Sequence, residues 1–223
     1  MKRVIAFFAA VLMLVSLTAC GGGTNPKDAF TISQQAFEKV NEAYMKVNVF
    51  SQDIYEAWRL GVNNSRNGCT FSSFVVEMNI EQEYIEEAVA KLSGKEFYSS
   101  ADWSSLYKSF NNSYFSAYVT VISEAYACSG DVEEITATLL EAKTLMKQLS
   151  DAYSDYEHYP ALKSYFTNTL AFFDFCNHPE GSFEQVVETF NSYRNVAREC
   201  FFELNYIFSD DIGGMKDIPD AED

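Results

Sequence analysis

Residues 131–157 read DVEEITATLLEAKTLMKQLSDAYSDYE, and this stretch has a very regular apolar spacing. Its apolar side chains follow one another at alternating intervals of three and four residues, which places them on one face of an α-helix. The positions of this seam are Val132, Ile135, Leu139, Ala142, Met146, Leu149, Tyr153 and Tyr156. The spacing predicts a helix over 132–157 that buries one face against other helices.

Similar seams occur on both sides of this stretch. They predict further helices over about 31–61, 71–92, 103–127, 160–176 and 183–208. No run alternates with the period of two that a half-buried strand requires. Because the connections between the seams are short, neighbouring helices should be antiparallel. The fold class that we predict is therefore all-α: an antiparallel up-down helical bundle of five to six long helices.

Polar residues at the predicted helix ends support these boundaries. Thr31 with Gln34, and Ser182 with Gln185, have the spacing of a capping box, in which each residue bonds the other's backbone N–H. Asp102 has the side chain of an N-cap residue. We expect these residues to begin the first, sixth and third helices.

The chain opens with the features of an export signal. Lys2 and Arg3 precede an apolar run over 4–17, which is shorter than the roughly 20 residues that span a bilayer. The run ends in Leu17-Thr18-Ala19-Cys20, which resembles the lipobox of bacterial lipoproteins. That resemblance implies that Cys20 receives a diacylglyceryl group and becomes the N-terminus after cleavage. The alternative is an ordinary secretory signal cut near Ala19.

These features predict the domain organisation and the location. Residues 1–19 are a lipoprotein signal peptide, 20–30 a lipidated flexible tether, 31–208 the helical bundle domain and 209–223 an acidic C-terminal tail. Two acyl chains on Cys20 suffice for stable membrane attachment. We therefore expect the protein to be lipid-anchored on the extracytoplasmic face of the bacterial cell membrane.

The charge balance narrows the class of partner. Without Lys2 and Arg3, the mature chain has 14 basic and 32 acidic residues, a net charge of −18. Such a surface repels nucleic acid and other polyanions. We expect no nucleic-acid partner. The remaining partners are the membrane, through the anchor on Cys20, and an envelope protein or a small ligand.

Four cysteines remain after Cys20, and an exported chain permits disulfides between them. Cys69 and Cys128 fall at one end of an up-down bundle, so they are the candidate pair for a disulfide, although Cys176 competes for Cys128. Cys200 lies on the seam of the sixth helix and should be a buried free thiol. The alternative is that all four are small core residues.

Catalysis and metal binding have little support in the sequence. No nucleophile elbow, zinc-protease motif, phosphate loop or dinucleotide fingerprint occurs. His158 and His178 are too few for a zinc or iron site, so we expect no metal, cofactor or catalytic residue. Glu81 is the one acidic residue that interrupts a seam. An enzyme with a buried carboxylate site would therefore use Glu81.

Aromatic residues are unusually abundant, with 14 Tyr and 19 Phe. Most lie on seams and should be core, but a buried Tyr needs a partner for its hydroxyl. Our main hypothesis is a non-catalytic helical binding or structural module of the cell envelope. The alternative is a receptor for a sugar, peptide or aromatic metabolite, with a groove lined by Tyr and Phe.

The segment over 37–48, FEKVNEAYMKVN, belongs to the first predicted helix. It resembles the opening helix of the YiiG-type family of uncharacterised bacterial helical lipoproteins. That resemblance implies a membrane-tethered helical bundle, in agreement with the lipobox and the seams.

Overall fold

The structure, a computed structural model, describes residues 26–64, 68–94, 96, 103, 106 and 114–208. Within these ranges it contains helices and no strand, which confirms the predicted all-α bundle. The signal segment, Cys20, Asp102 and the acidic tail lie outside them. The helices are α1 (Pro26–Asn63), α2 (Phe71–Val76), α3 (Gln82–Ser93), α4 (Tyr114–Ser129), α5 (Asp131–Ala152), α6 (Tyr159–Asn177) and α7 (Phe183–Phe208).

The long helix α1 organises the molecule. Its 38 residues extend about 57 Å, and it packs against α4, α5, α6 and α7. A second line of buried side chains runs beside the predicted seam, so α1 is covered on more than one face. The members of this second line are Ala36, Ala43, Phe50 and Ala57.

Ion pairs and ring contacts give the directions of the helices that pack on the first half of α1. Lys39 pairs with Glu141 and Lys46 with Glu134, so α5 runs antiparallel to α1. The ring of Phe37 meets that of Phe201 near the end of α7, which is also antiparallel. In α6, Tyr165 contacts Phe37 and Phe172 contacts Tyr44, so α6 runs parallel to α1. These four helices form an up-down four-helix bundle.

The second half of α1 packs against a different set of helices. The ring of Phe50 stacks on Tyr126 of α4 at 4.2 Å, and Arg59 bonds Glu77 just after α2. Helix α4 ends beside Phe50, and α5 begins there and continues toward the start of α1. The molecule thus has two parts that share α1, with α5 and α6 on its first half and α2–α4 beside its second. Helix α7 extends along both, from Phe30 to Tyr55.

The start of α1 differs from the prediction. The helix begins at Pro26, so residues 26–30, which we assigned to the tether, are helical. Thr31 is inside the helix, where its hydroxyl donates to the Lys27 carbonyl, and Gln34 donates to the Phe208 carbonyl. The predicted capping box at Thr31 is therefore wrong. Pro26 is well suited to the first turn because a backbone N–H there needs no helical acceptor.

The predicted helix over 71–92 is broken into α2 and α3. The Thr70 hydroxyl caps α2 by accepting from the Ser73 N–H, but the helix ends at Val76 and α3 starts only at Gln82. The backbone N–H groups of Asn79 and Ile80 in the break donate to the Asp53 carboxylate of α1. A side chain 26 residues upstream therefore replaces the helical acceptors.

The helix predicted over 132–157 ends earlier, at Ala152. Tyr153 donates its N–H to the Leu149 carbonyl and leaves helical geometry, with φ −141° and ψ 49°. A turn then leads into α6. The predictions for α6 and α7 are confirmed to within one residue, and Ser182 and Gln185 form the expected capping box, with bonds of 2.7 and 3.3 Å. In the described ranges, no helix has the length and hydropathy that a membrane span requires.

Candidate functional site

A cavity of about 510 Å³ lies at the middle of α1, where the two parts of the molecule meet. Three regions surround it. They are α1, the break between α2 and α3 together with the first turn of α3, and the end of α4 where it passes into α5. We call it the joint cavity. Its lining includes Met45, Val49, Ile80, Glu81, Tyr84 and Tyr126.

The passage from α4 to α5 consists of the single residue Gly130. Its φ of +87° lies in the left-handed region, which glycine adopts without the penalty that a Cβ brings. The Ser129 hydroxyl donates to the Asp131 carboxylate at 2.6 Å, which fixes the first turn of α5. Gly130 ends α4 beside Phe50, and the break between α2 and α3 forms the adjoining wall of the cavity.

The Asp53 side chain of α1 holds the break between α2 and α3 in place through hydrogen bonds. Its Oδ1 accepts the backbone N–H and the side-chain amide of Asn79, at 2.8 and 2.7 Å. Its Oδ2 accepts the backbone N–H of Ile80 and the hydroxyl of Tyr126, both at 3.0 Å. The carboxylate is fully buried, and three of the residues that line the joint cavity are bound to it.

The pKa values of this network reflect its burial. Desolvation raises the pKa of Asp53 above its ordinary value, and the four donated hydrogen bonds oppose the shift. Desolvation also raises the pKa of Tyr126, and the neighbouring Asp53 raises it further. The Tyr126 hydroxyl thus stays protonated and committed to Asp53. It offers its ring, and not its hydroxyl, to the cavity.

The rim of the joint cavity is acidic. Glu81 and Asp131 lie on it, and Lys46, the basic residue of the lining, is paired with Glu134. The Tyr84 hydroxyl is surrounded by carboxylates, with Glu83 the strongest influence, and these raise its pKa. The field at the rim therefore favours cations over anions.

Glu81 does not occupy the position that we predicted. It is exposed, and it is the N-cap residue of α3 without a side-chain capping bond. The prediction of a buried carboxylate site at Glu81 is wrong, because the helix breaks before Glu81 could turn inward. Among the described residues the buried carboxylate is Asp53, which the sequence reasoning missed. Its spacing from Phe50 and Ala57, three and four residues, was the available signal.

Arg194 of α7 is the other polar residue that the sequence reasoning missed. Its Nε donates to Asn48 Oδ1 at 2.9 Å and its Nη2 donates to Ser51 Oγ at 2.8 Å. Burial lowers the pKa of this guanidinium. Ser51 lies among the apolar side chains of α1, where it is buried. Its hydroxyl is thus an acceptor that orients Arg194.

The expected disulfide between Cys69 and Cys128 is not formed, and none of the four described cysteines takes part in a disulfide. The N–H of Cys69 donates to the Tyr118 hydroxyl, which places it beside Tyr118. Cys128 comes ten residues later in α4, about 15 Å along the helix. We placed the two cysteines at one end because we took the helix over 71–92 as unbroken. Cys200 is a buried free thiol, as predicted.

The described residues include no group of three or more His, Cys, Asp or Glu side chains arranged to hold a metal ion. His158 contacts Glu157 at 3.1 Å, and His178 lies 4.0 Å from Asp174 in an exposed pair.

The joint cavity is thus an aromatic and aliphatic cleft with a fixed back wall and an acidic rim. Comparisons of the chain with protein-family models, with curated proteins and with solved structures found no match.

Proposed function

We propose that this chain is a lipid-anchored, extracytoplasmic lipoprotein whose helical bundle is a non-catalytic binding module of the bacterial cell envelope. Its ligand is a small molecule, or a peptide side chain, that enters the joint cavity. The observation that carries the proposal is the cavity itself, since its volume falls within the ~300–1,000 Å³ of ordinary ligand sites.

The location rests on the first 20 residues of the sequence. The basic start, the short apolar run and the sequence Leu17-Thr18-Ala19-Cys20 agree with one another as an export and lipidation signal. The resemblance of residues 37–48 to the YiiG-type lipoproteins supports the same location.

Replacing Cys20 by alanine tests the anchor. We expect Cys20→Ala to abolish labelling of the protein by radioactive palmitate. The thioether that carries the acyl chains cannot form without the Cys20 sulfur. Cys200→Ala is the matched control, because Cys200 is a cysteine in the bundle and should not affect labelling. Palmitate labelling that survives Cys20→Ala would contradict the proposed anchor.

The character of the ligand follows from the lining. Met45, Val49 and Ile80 give aliphatic contact, and the rings of Tyr84 and Tyr126 can stack on an aromatic group or face a cation. The acidic rim and the net charge of −18 disfavour anions. A ligand with an aromatic or aliphatic body and a positive charge suits this site best.

The non-catalytic character is supported by the position of Asp53. Among the described residues this is the buried carboxylate that an enzyme mechanism would use, but it has no exposed surface and its bonds go to Asn79, Ile80 and Tyr126. Protonation or attack by Asp53 on a ligand in the cavity would first require the loss of those bonds.

Thermal unfolding with two probes tests the binding site. Tyramine and 4-hydroxyphenylacetate share a phenol ring and differ in the sign of their charge. We expect tyramine, and not 4-hydroxyphenylacetate, to raise the Tm, because only tyramine matches the acidic rim. A ligand at a hundred times its Kd adds about 2.7 kcal/mol of stability.

Two arginine substitutions show whether that effect arises in the joint cavity. Val49→Arg places a long cation in the cavity wall and should remove the tyramine effect. Val76→Arg makes the same change at an exposed valine outside the lining and should leave it intact. Failure of tyramine to stabilise the parent protein, or an equal response of both variants, would argue against this site.

A further inference from the structure

The end of the bundle nearest to the proposed anchor can be identified. Between Cys20 and Pro26, where α1 begins, the chain has six residue steps, which span at most about 20 Å. The ring of Phe30 in α1 meets that of Phe208 at 5.5 Å, so α7 ends beside the start of α1. His158 also contacts Phe208, which brings the turn between α5 and α6 to this end.

Aromatic side chains are concentrated at this end, and several face solvent. Tyr206 is 87% exposed, Phe30 41% and Phe202 40%. The turn between α5 and α6 adds three half-buried tyrosines. These are Tyr153, Tyr156 and Tyr159. We call this set the aromatic end.

The exposed face of α7 changes character as it approaches the aromatic end. Positions 188, 192, 195 and 199 of that face are Glu, Ser, Asn and Glu, as a solvated helix face should be. The next two positions at helical spacing are Phe202 and Tyr206, which form an i, i+4 pair. On this exposed face of α7, aromatic residues thus appear only in the last two turns, which lie at the same end of the bundle as the tether.

We propose that the aromatic end rests on the lipid bilayer, with Phe202 and Tyr206 in the headgroup region, and that α1 therefore points away from the membrane. This inference rests on the lipid anchor proposed above. Tyrosine suits the membrane interface because its hydroxyl stays hydrated while its ring leaves water, and phenylalanine adds apolar area that is buried at the same depth. A tether of six residue steps keeps the aromatic end within about 20 Å of the lipid surface for as long as the anchor is inserted.

The charge of the aromatic end determines which lipids it can contact. Glu199 and Glu203 lie on the same part of α7 and are exposed, so the surface does not attract anionic headgroups. The contact is therefore one of aromatic burial, and it should be present on vesicles of phosphatidylcholine alone. The joint cavity, near residue 47 of α1, then stands about 30 Å above the start of α1.

Fluorescence quenching by brominated lipid tests this orientation. The full-length, lipidated protein is reconstituted into phosphatidylcholine vesicles with or without phosphatidylcholine brominated in its acyl chains. Tyr206→Trp adds an indole at the aromatic end. Val76→Trp adds one in α2, beside the second half of α1, where the Val76 side chain is 79% exposed. Phe202→Trp provides a second reporter at the aromatic end.

We expect the brominated lipid to reduce the added emission of Tyr206→Trp and Phe202→Trp at least twofold and to leave that of Val76→Trp unchanged. Equal emission from Tyr206→Trp in both kinds of vesicle would overturn the inference. So would protection of this indole from aqueous acrylamide without lipid quenching, since a second protein copy would then cover it. Failure of the lipidated protein to float with the vesicles would instead refute the anchor of the proposed function.

Discussion

Replacing Asp53 by alanine should lower the free energy of unfolding by about 3–5 kcal/mol, because four hydrogen bonds to one buried carboxylate are lost together. The substitution leaves two backbone N–H groups, an amide and a hydroxyl without their acceptor inside the protein. Each buried polar group that loses its partner costs about 1–3 kcal/mol, unless the structure opens to let water reach it. Urea unfolding followed by circular dichroism at 222 nm measures the change.

Two further variants distinguish the effect of losing the hydrogen bonds to Asp53 from the effect of losing a carboxylate. Tyr126→Phe removes one of the four donors and keeps the ring on Phe50, so its cost should be smaller, at about 1.5–3 kcal/mol for a bond to a charged group. Asp155→Ala removes an exposed carboxylate from the turn after α5 and should stay within about 0.5 kcal/mol of the parent. If Asp53→Ala were as mild as Asp155→Ala, the hydrogen bonds would not hold the break in place.

The helices that the sequence predicts best are those whose boundaries depend on neighbouring residues. Helix α7 has an uninterrupted seam and a capping box formed by Ser182 and Gln185, so its start is fixed by side chains three residues apart. Pro160 similarly marks the first turn of α6. Local sequence contains all the information that such boundaries need, and these boundaries were predicted to within one residue.

The break between α2 and α3 could not be predicted in this way. Residues 71–92 carry a helical seam that only Glu81 interrupts, and the carboxylate that competes with the helix belongs to Asp53, on a different helix. The competition appears only when α1 and the break are packed together. The same dependence explains the errors at Glu81, which was placed by its own seam, and at Cys69, which was placed by assuming an unbroken helix.

Only the aromatic character of the joint cavity could be predicted from the sequence, and its position and contacts could not. The abundance of Tyr and Phe indicated a groove with aromatic walls as one alternative, and Tyr84 and Tyr126 do line the cavity. The sequence indicated that a buried tyrosine hydroxyl needs a partner, and the partner of the Tyr126 hydroxyl is the Asp53 carboxylate. Which edge of a buried tyrosine faces a cavity depends on where its partner lies, and that partner is 73 residues away in sequence.

The second large effect concerns the part of the bundle formed by α1, α6 and α7. Phe172 of α6 is fully buried, its ring stacks on Tyr193 at 5.2 Å, and it contacts Phe190 at 5.8 Å. Phe172→Ala should lower the free energy of unfolding by about 3–5 kcal/mol, because it removes a buried ring and leaves a void between these helices. Urea unfolding, followed as for Asp53→Ala, measures the change.

The matched control for this substitution lies on the same helix. Leu170 is 44% exposed, so Leu170→Ala keeps the helical environment and removes little buried surface. Its cost should be near 0.5 kcal/mol, the usual limit for surface substitutions. Because α1 runs through both parts of the molecule, Phe172→Ala and Asp53→Ala should each shift one common unfolding transition. Two separate transitions in Phe172→Ala, with the α2–α4 part unfolding at the parent's urea concentration, would show that α1 does not couple the parts.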